Sequence, residues 1–180
     1  MELLDALDQT FQHTQRVIGN VRADQYDEPT PCPDWVVRDL LGHTIGVVAG
    51  LGAAASGAVR PAFVLGPDPA AQFREAAAAT MAAWRTPGVL DRMVDGGPGP
   101  MPGRALAGIN LLDTATHAWD IATASGQPAA LPDGVAEAAL EASRAIISAD
   151  IRPGRFAPEV PAPSGAGPTE QLVAFLGRRP

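Results

Sequence analysis

The strongest constraint on the fold is where the chain cannot be helical. Pro29, Pro31 and Pro33 form one cluster of helix breakers. Pro87, Pro98, Pro100 and Pro102 are interspersed with Gly88, Gly96, Gly97, Gly99 and Gly103 in a second, and residues 153–168 make a third, rich in Pro, Ala and Gly. Proline lacks a backbone donor and glycine turns freely, so these stretches read as turns or extended chain.

Between the breakers, apolar residues repeat at helical spacing. Leu3, Leu4, Leu7, Phe11 and Ile18, with Gln15 on the same stripe, predict an amphipathic first helix to about Val21. A second starts near Asp34 to Val36, with Asp34 as cap and Asp39 in the first turn, and runs through His43; Gly46 and Gly50 on the His43 side should allow close helix approach. The third is expected from Asp68 to about Arg85, with Phe73, Ala77, Met81 and Trp84 buried and Pro87-Gly88 ending it. A fourth runs from about Arg104 to Ser125 and stops at Gly126, and a fifth covers Asp133 to about Ala149. After an extended tail comes a short closing helix, Thr169 to Leu176. A short hairpin around Asp95-Gly96-Gly97, within 89–104 and with Val89 to Val94 as one strand, is the single β element expected. The expected architecture is all-α, one domain over 1–180, with the tail 153–180 wrapping the bundle.

Charge narrows the partners. The 13 basic residues are all Arg, and a net charge of −7 with a pI near 4.8 argues against nucleic acid or an anionic membrane, either of which needs a basic patch. Cys32 is alone and so has no internal disulfide partner; Glu2, Asp5 and Asp8 stand where a signal peptide needs positive charge. A cytoplasmic location is expected. The uncharged stretch Leu40 to Val59 has the length of a membrane span but is mostly Ala and Gly and carries His43, so no span is expected. An Ala/Gly-rich helix face of this kind could support a homodimer.

Chemistry must come from few residues. Of three histidines, His43 and His117 sit in the middle of long apolar helices. Asp113 lies four residues before His117, so both side chains leave one helix face and can reach a single ion. His43 is the natural third ligand from a facing helix. The competing reading of each is a hydrogen-bonded core residue. His13, between Gln12 and Thr14, reads as a solvated surface residue. Asp120, one turn past His117, suits orienting a ligand or pairing an arginine. Trp35 and Trp119 read first as packing aromatics, Cys32 as a buried thiol, and Arg38 as the partner of a carboxylate or of an acidic substrate.

The segment Thr30-Pro31-Cys32-Pro33-Asp34-Trp35-Val36-Val37-Arg38-Asp39-Leu40-Leu41-Gly42-His43 resembles the N-terminal metal-binding motif of DinB-like proteins, in the actinobacterial-type branch related to the N-terminal domain of mycothiol-dependent maleylpyruvate isomerase. Asp113-Thr114-Ala115-Thr116-His117-Ala118-Trp119-Asp120-Ile121-Ala122, then Ser125-Gly126-Gln127, is similar to that family's second motif. Phe156-Ala157-Pro158-Glu159-Val160-Pro161 with Leu172-Val173-Ala174-Phe175-Leu176-Gly177-Arg178 looks like the tail of one uncharacterised subgroup. The resemblance implies a four-helix bundle with a long crossover connection and one divalent metal, Zn or Ni, on His43, Asp113 and His117. Where the isomerase has a glutamate ligand, Asp113 is one methylene shorter. No segment here is expected to match the isomerase's additional C-terminal domain, so its substrate and reaction are not carried over.

Three protein ligands leave positions open for chemistry. The resemblance implies a low-molecular-weight thiol such as mycothiol as co-substrate, giving a thiol-dependent transferase or isomerase acting on an electrophilic small molecule. Two alternatives stay open: a non-catalytic protein that binds or senses a metal or small ligand, and a non-haem iron site built on the same two histidines and carboxylate.

Overall fold

The computed structural model describes residues 1–33, 35–97, 99–154 and 156–180. Among them the chain is all-α, with α1 (Leu3–Gly19), α2 (Val37–Ser56), α3 (Pro69–Trp84), α4 (Gly103–Ala124), α5 (Asp133–Ile146) and α6 (Pro168–Phe175). Strands β1 (Met93–Asp95) and β2 (Pro100–Pro102) pair antiparallel, with Val94 opposite Met101. The hairpin is thus real but starts later than expected. Residues 89–92 form hydrogen-bonded turns, and Gly103 packs so close to the Val89 carbonyl that any side chain there would collide with it.

α4 is the axis. Sixteen of its 22 residues are buried, because α1, α2 and α5 all pack on it. α1 and α2 each pack on both α3 and α4, so each of these pairs occupies opposite corners of the bundle. Buried hydroxyls are made tolerable by bonding back one turn: Thr10 to the Ala6 carbonyl, Thr14 to Thr10, Thr44 to Leu40 and Thr116 to Leu112. Among the described residues α2 is the one helix long and apolar enough to cross a membrane, and here it packs against α3 and α4.

Helix ends follow local chemistry. Asp68 caps α3 by accepting the Ala71 N–H at 2.9 Å, ahead of Pro69 in the first turn. The expected Asp34 cap of α2 lies outside the described residues; Asp39 accepts the Val36 N–H at 3.3 Å. The close helix approach falls on a different glycine from those expected. Gly46 and Gly50 leave room for Phe63 and Arg60 of the 57–68 connection, whereas Gly52 lies against Thr80 of α3, whose hydroxyl donates to the Val48 carbonyl at 2.8 Å.

The tail returns to the bundle. α6 packs on α5, burying Leu172 and Leu176, and the Val160 N–H donates to the Ala174 carbonyl at 3.0 Å. The Arg152 guanidinium lies 4.8 Å over the Phe175 ring and donates to the Ala157 carbonyl at 2.8 Å.

Candidate metal centre

The structure brings His43 from α2 together with Asp113 and His117 from α4, one helical turn apart. A donor atom from each lies within 4.8 Å of the others. Asp113 Oδ1 is 3.4 Å from His43 Nε2 and 3.5 Å from His117 Nε2. These separations are long for hydrogen bonds, which cluster near about 2.9 Å. They match the edge of a tetrahedron: ligation at about 2.0–2.2 Å puts neighbouring donors roughly 3.3–3.6 Å apart. Asp113 Oδ2 is buried with no hydrogen-bond partner, as expected of an oxygen shaped for a cation. The donor set therefore fits a divalent metal, and the shorter Asp113 side chain reaches both imidazoles from its position on α4.

The other face of His117 is fixed. Its Nδ1 lies 3.0 Å from Asp120 Oδ2, the arrangement in which Nδ1–H donates to a carboxylate and the Nε2 lone pair is left for an ion. Asp120 is fully buried and is held in turn by Arg178, whose Nε donates to Oδ1 at 3.2 Å and Nη2 to Oδ2 at 2.9 Å. Asp120 thus pairs with an arginine, as one of its expected roles has it, and also contacts the His117 imidazole.

Electrostatics agree with a cation-ready cluster. Burial by itself would push the Asp113 pKa up, but His117 and the contacts from both imidazoles outweigh it and hold the carboxylate well below its usual range. Burial likewise opposes charge on His117, yet Asp113 and Asp120 pull its pKa up to about 9. In the absence of metal the site takes a proton where the ion would sit.

A pocket of about 450 Å³ opens over these residues. Trp35 walls it, with its ring centroid 4.7 Å from that of His43 and 6.2 Å, stacked, from that of His117. It packs against the core and lines the pocket at once. Its position comes from a tight turn: Thr30 donates its hydroxyl to the Trp35 carbonyl at 2.9 Å and accepts the Cys32 N–H at 3.2 Å. Cys32 also lines the pocket and is only partly buried, unlike the enclosed thiol expected. Burial pushes its pKa up against the pull of Arg178, so it stays a thiol. The opposite wall, Phe156, Ala157 and Leu176 to Arg178, comes from the tail. No short sequence signal links Arg178 to Asp120.

Arg38 and Trp119 lie outside the site in roles that were expected, whereas His13 departs from its reading. Arg38 pairs with Asp27 at 3.0 Å on the surface. Trp119 is buried in α4. His13 is not the solvated residue expected: it is half-buried with no partner for Nε2, and burial, aided by Arg16, depresses its pKa.

A family model described as the mycothiol maleylpyruvate isomerase N-terminal domain matches residues 7–122, from early in α1 to near the end of α4. Two uncharacterised proteins of Mycobacterium tuberculosis, from strains CDC 1551 / Oshkosh and ATCC 25618 / H37Rv, are each 38% identical over 165 residues, 90% of this chain and 90% of the relative. No solved structure matches the chain. With the histidines and carboxylate of the cluster all inside the matched segment, the chain belongs to the mycothiol maleylpyruvate isomerase N-terminal domain family.

Proposed function

We propose that this is a divalent-metal protein in which His43, Asp113 and His117 hold a Zn- or Ni-type ion, and that it uses a mycothiol-type thiol in a transferase or isomerase reaction on an electrophilic small molecule. The observation that carries the reading is the pair of separations at tetrahedral-edge length from Asp113 Oδ1 to the two imidazole Nε2 atoms, beside a second Asp113 oxygen, Oδ2, that is buried without a hydrogen-bond partner. A divalent cation there would favour thiolate over thiol at neutral pH. The chain's own residues then have plain duties. The three donors fix position, Asp120 sets the His117 tautomer, and Trp35, Pro31 and Pro33 shape an apolar wall that excludes water from the reacting sulfur. In the reaction the thiol would lose its proton to solvent and sulfur would add to the electrophilic carbon. The electron pair of that carbon's π bond would move to the neighbouring atom, which takes a proton from solvent. A transferase would release this adduct, and an isomerase would reverse the addition and expel the thiol. The composition supports a cytoplasmic setting, where such thiols are reduced.

A second reading, a non-catalytic metal or small-ligand binder, draws on one observation. The polar pocket residues beyond the donors are already engaged: Thr116 with the Leu112 carbonyl, Arg178 with Asp120, and Cys32 protonated. Thiol-dependent turnover separates the two readings.

Elemental analysis of protein purified without a metal-affinity tag tests the shared core. About one ion per chain is expected in the wild type, and near none in folded His43→Ala and His117→Ala variants. A wild type that carries no metal and takes none up on titration sinks the reading.

A further inference from the structure

The mechanism above leaves one buried charged group without a duty, the Arg178 guanidinium. Gly177 puts it in place. With φ +84°, Gly177 closes α6 in a left-handed turn in which the Gly177 N–H donates to the Ala174 carbonyl at 3.0 Å and the Arg178 N–H to Val173 at 2.8 Å. The chain reverses there, and the Arg178 side chain, only 12% exposed, enters the bundle.

Inside, it meets a carboxylate with 0% exposure. Asp120 Oδ2 is shared between Arg178 Nη2 and His117 Nδ1, while Oδ1 receives Arg178 Nε. Arginine's rigid fork holds both oxygens in one plane, which a lysine cannot do. Among the described residues nothing else bonds Oδ1. Without the fork, Oδ1 is a buried acceptor lacking a donor, and the carboxylate is free to turn away from His117. Docking the tail does not require this pairing, because Leu172 and Leu176 are buried in the core and Val160 bonds Ala174.

We propose that Arg178 is a positioning residue of the metal centre: through Asp120 it pins the His117 imidazole so that Nε2 faces the ion. The inference rests on the metal reading above, and it lies outside the segment that the family model matches. It makes the tail a working part of the site.

The test is titration of the apo protein with Co(II), read as dissociation constant and visible ligand-field spectrum, with circular dichroism to verify fold. Arg178→Met should weaken binding by about 10–100-fold and change the spectrum, as loss of a ligand-orienting partner does. Asp120→Asn should do the same. The double variant should be no worse than Asp120→Asn, because Arg178 acts through that carboxylate. Wild-type affinity and spectrum in Arg178→Met, or losses that multiply in the double variant, would overturn the inference. Should Arg178→Met not fold, Arg178→Lys keeps the charge without the fork; weakened binding is expected, and wild-type behaviour again overturns it. A wild type that binds no Co(II) overturns the metal reading and this one together. Uptake by wild type with no effect of Arg178 substitution overturns this one alone.

Discussion

The two sides of the pocket are built from unlike stretches of chain. On one side, α2 and α4 are regular helices whose donors are set by helical periodicity, and α4 is enclosed by three neighbours. On the other, the wall consists of loop and helix-end residues, Phe156, Ala157 and Leu176 to Arg178, held by the Arg178–Asp120 fork and by burial of Leu176. The helical side supplies all three candidate donors; the tail side supplies none and reaches them only through Asp120. Polar groups that must be placed within fractions of an ångström belong on rigid elements, while those that tune them can come from farther along the chain.

The largest effect should come from the helical side. Asp113→Ala removes the one donor that lies close to both histidines, and metal content by elemental analysis should fall from about one ion per chain to near none. Next is a pH effect. His117 has a raised pKa, so the stability its proton gives metal-free protein is complete below the ordinary value of about 6.5 and is lost as pH rises through about 9. Asp113 is depressed, so its contribution is present above about pH 4 and is lost on further acidification. Denaturant unfolding of apo protein should therefore show highest stability between about pH 4 and 6.5. Metal must displace the His117 proton, so its affinity should rise by about tenfold per pH unit from 6.5 to 9.

Gly177→Ala tests the tail side. A non-glycine residue at this positive φ costs about 1–2 kcal/mol, and the new methyl meets Ala157 and the Pro158 carbonyl. Unfolding should show that loss, with metal affinity weakened but not abolished. If Gly177→Ala removes metal as fully as Asp113→Ala, the two sides are equal partners and the comparison fails. The smallest effect is expected at Asp68→Ala, which removes the α3 cap. It should cost about 1 kcal/mol in denaturant unfolding and leave metal stoichiometry at one.

How much of this could be read from the sequence follows the same division. Asp113 and His117 are four apart on one helix, and His43 sits mid-helix in an apolar run, so local periodicity was enough to nominate them. Asp120 was nominated too, but its partner Arg178 is 58 residues away, and no periodicity links them. Trp35 packs as its aromatic character predicts, but its place over the two histidines depends on the Thr30 turn, which periodicity does not show. Gly46, Gly50 and Gly52 look alike in sequence, and only the three-dimensional course of the 57–68 connection decides that Gly52 meets α3. His13 failed because neighbours along the chain say little about what packs over a helix face. The helices themselves were found within a few residues, since proline and glycine mark their ends locally.

The Arg178 fork also carries a consequence in time. The chain is synthesised from its N-terminus, so His43, Asp113 and His117 are made before residue 178. At about 5–20 residues per second, that interval is roughly 3–12 s. A nascent chain thus presents all three donors while Asp120 still lacks its guanidinium. An ion captured in that window would sit in a loosely oriented, readily exchanged site, and arrival of the last turn would tighten the hold. Under the metal reading, synthesis order would make loading an early event and its consolidation by the tail a late one.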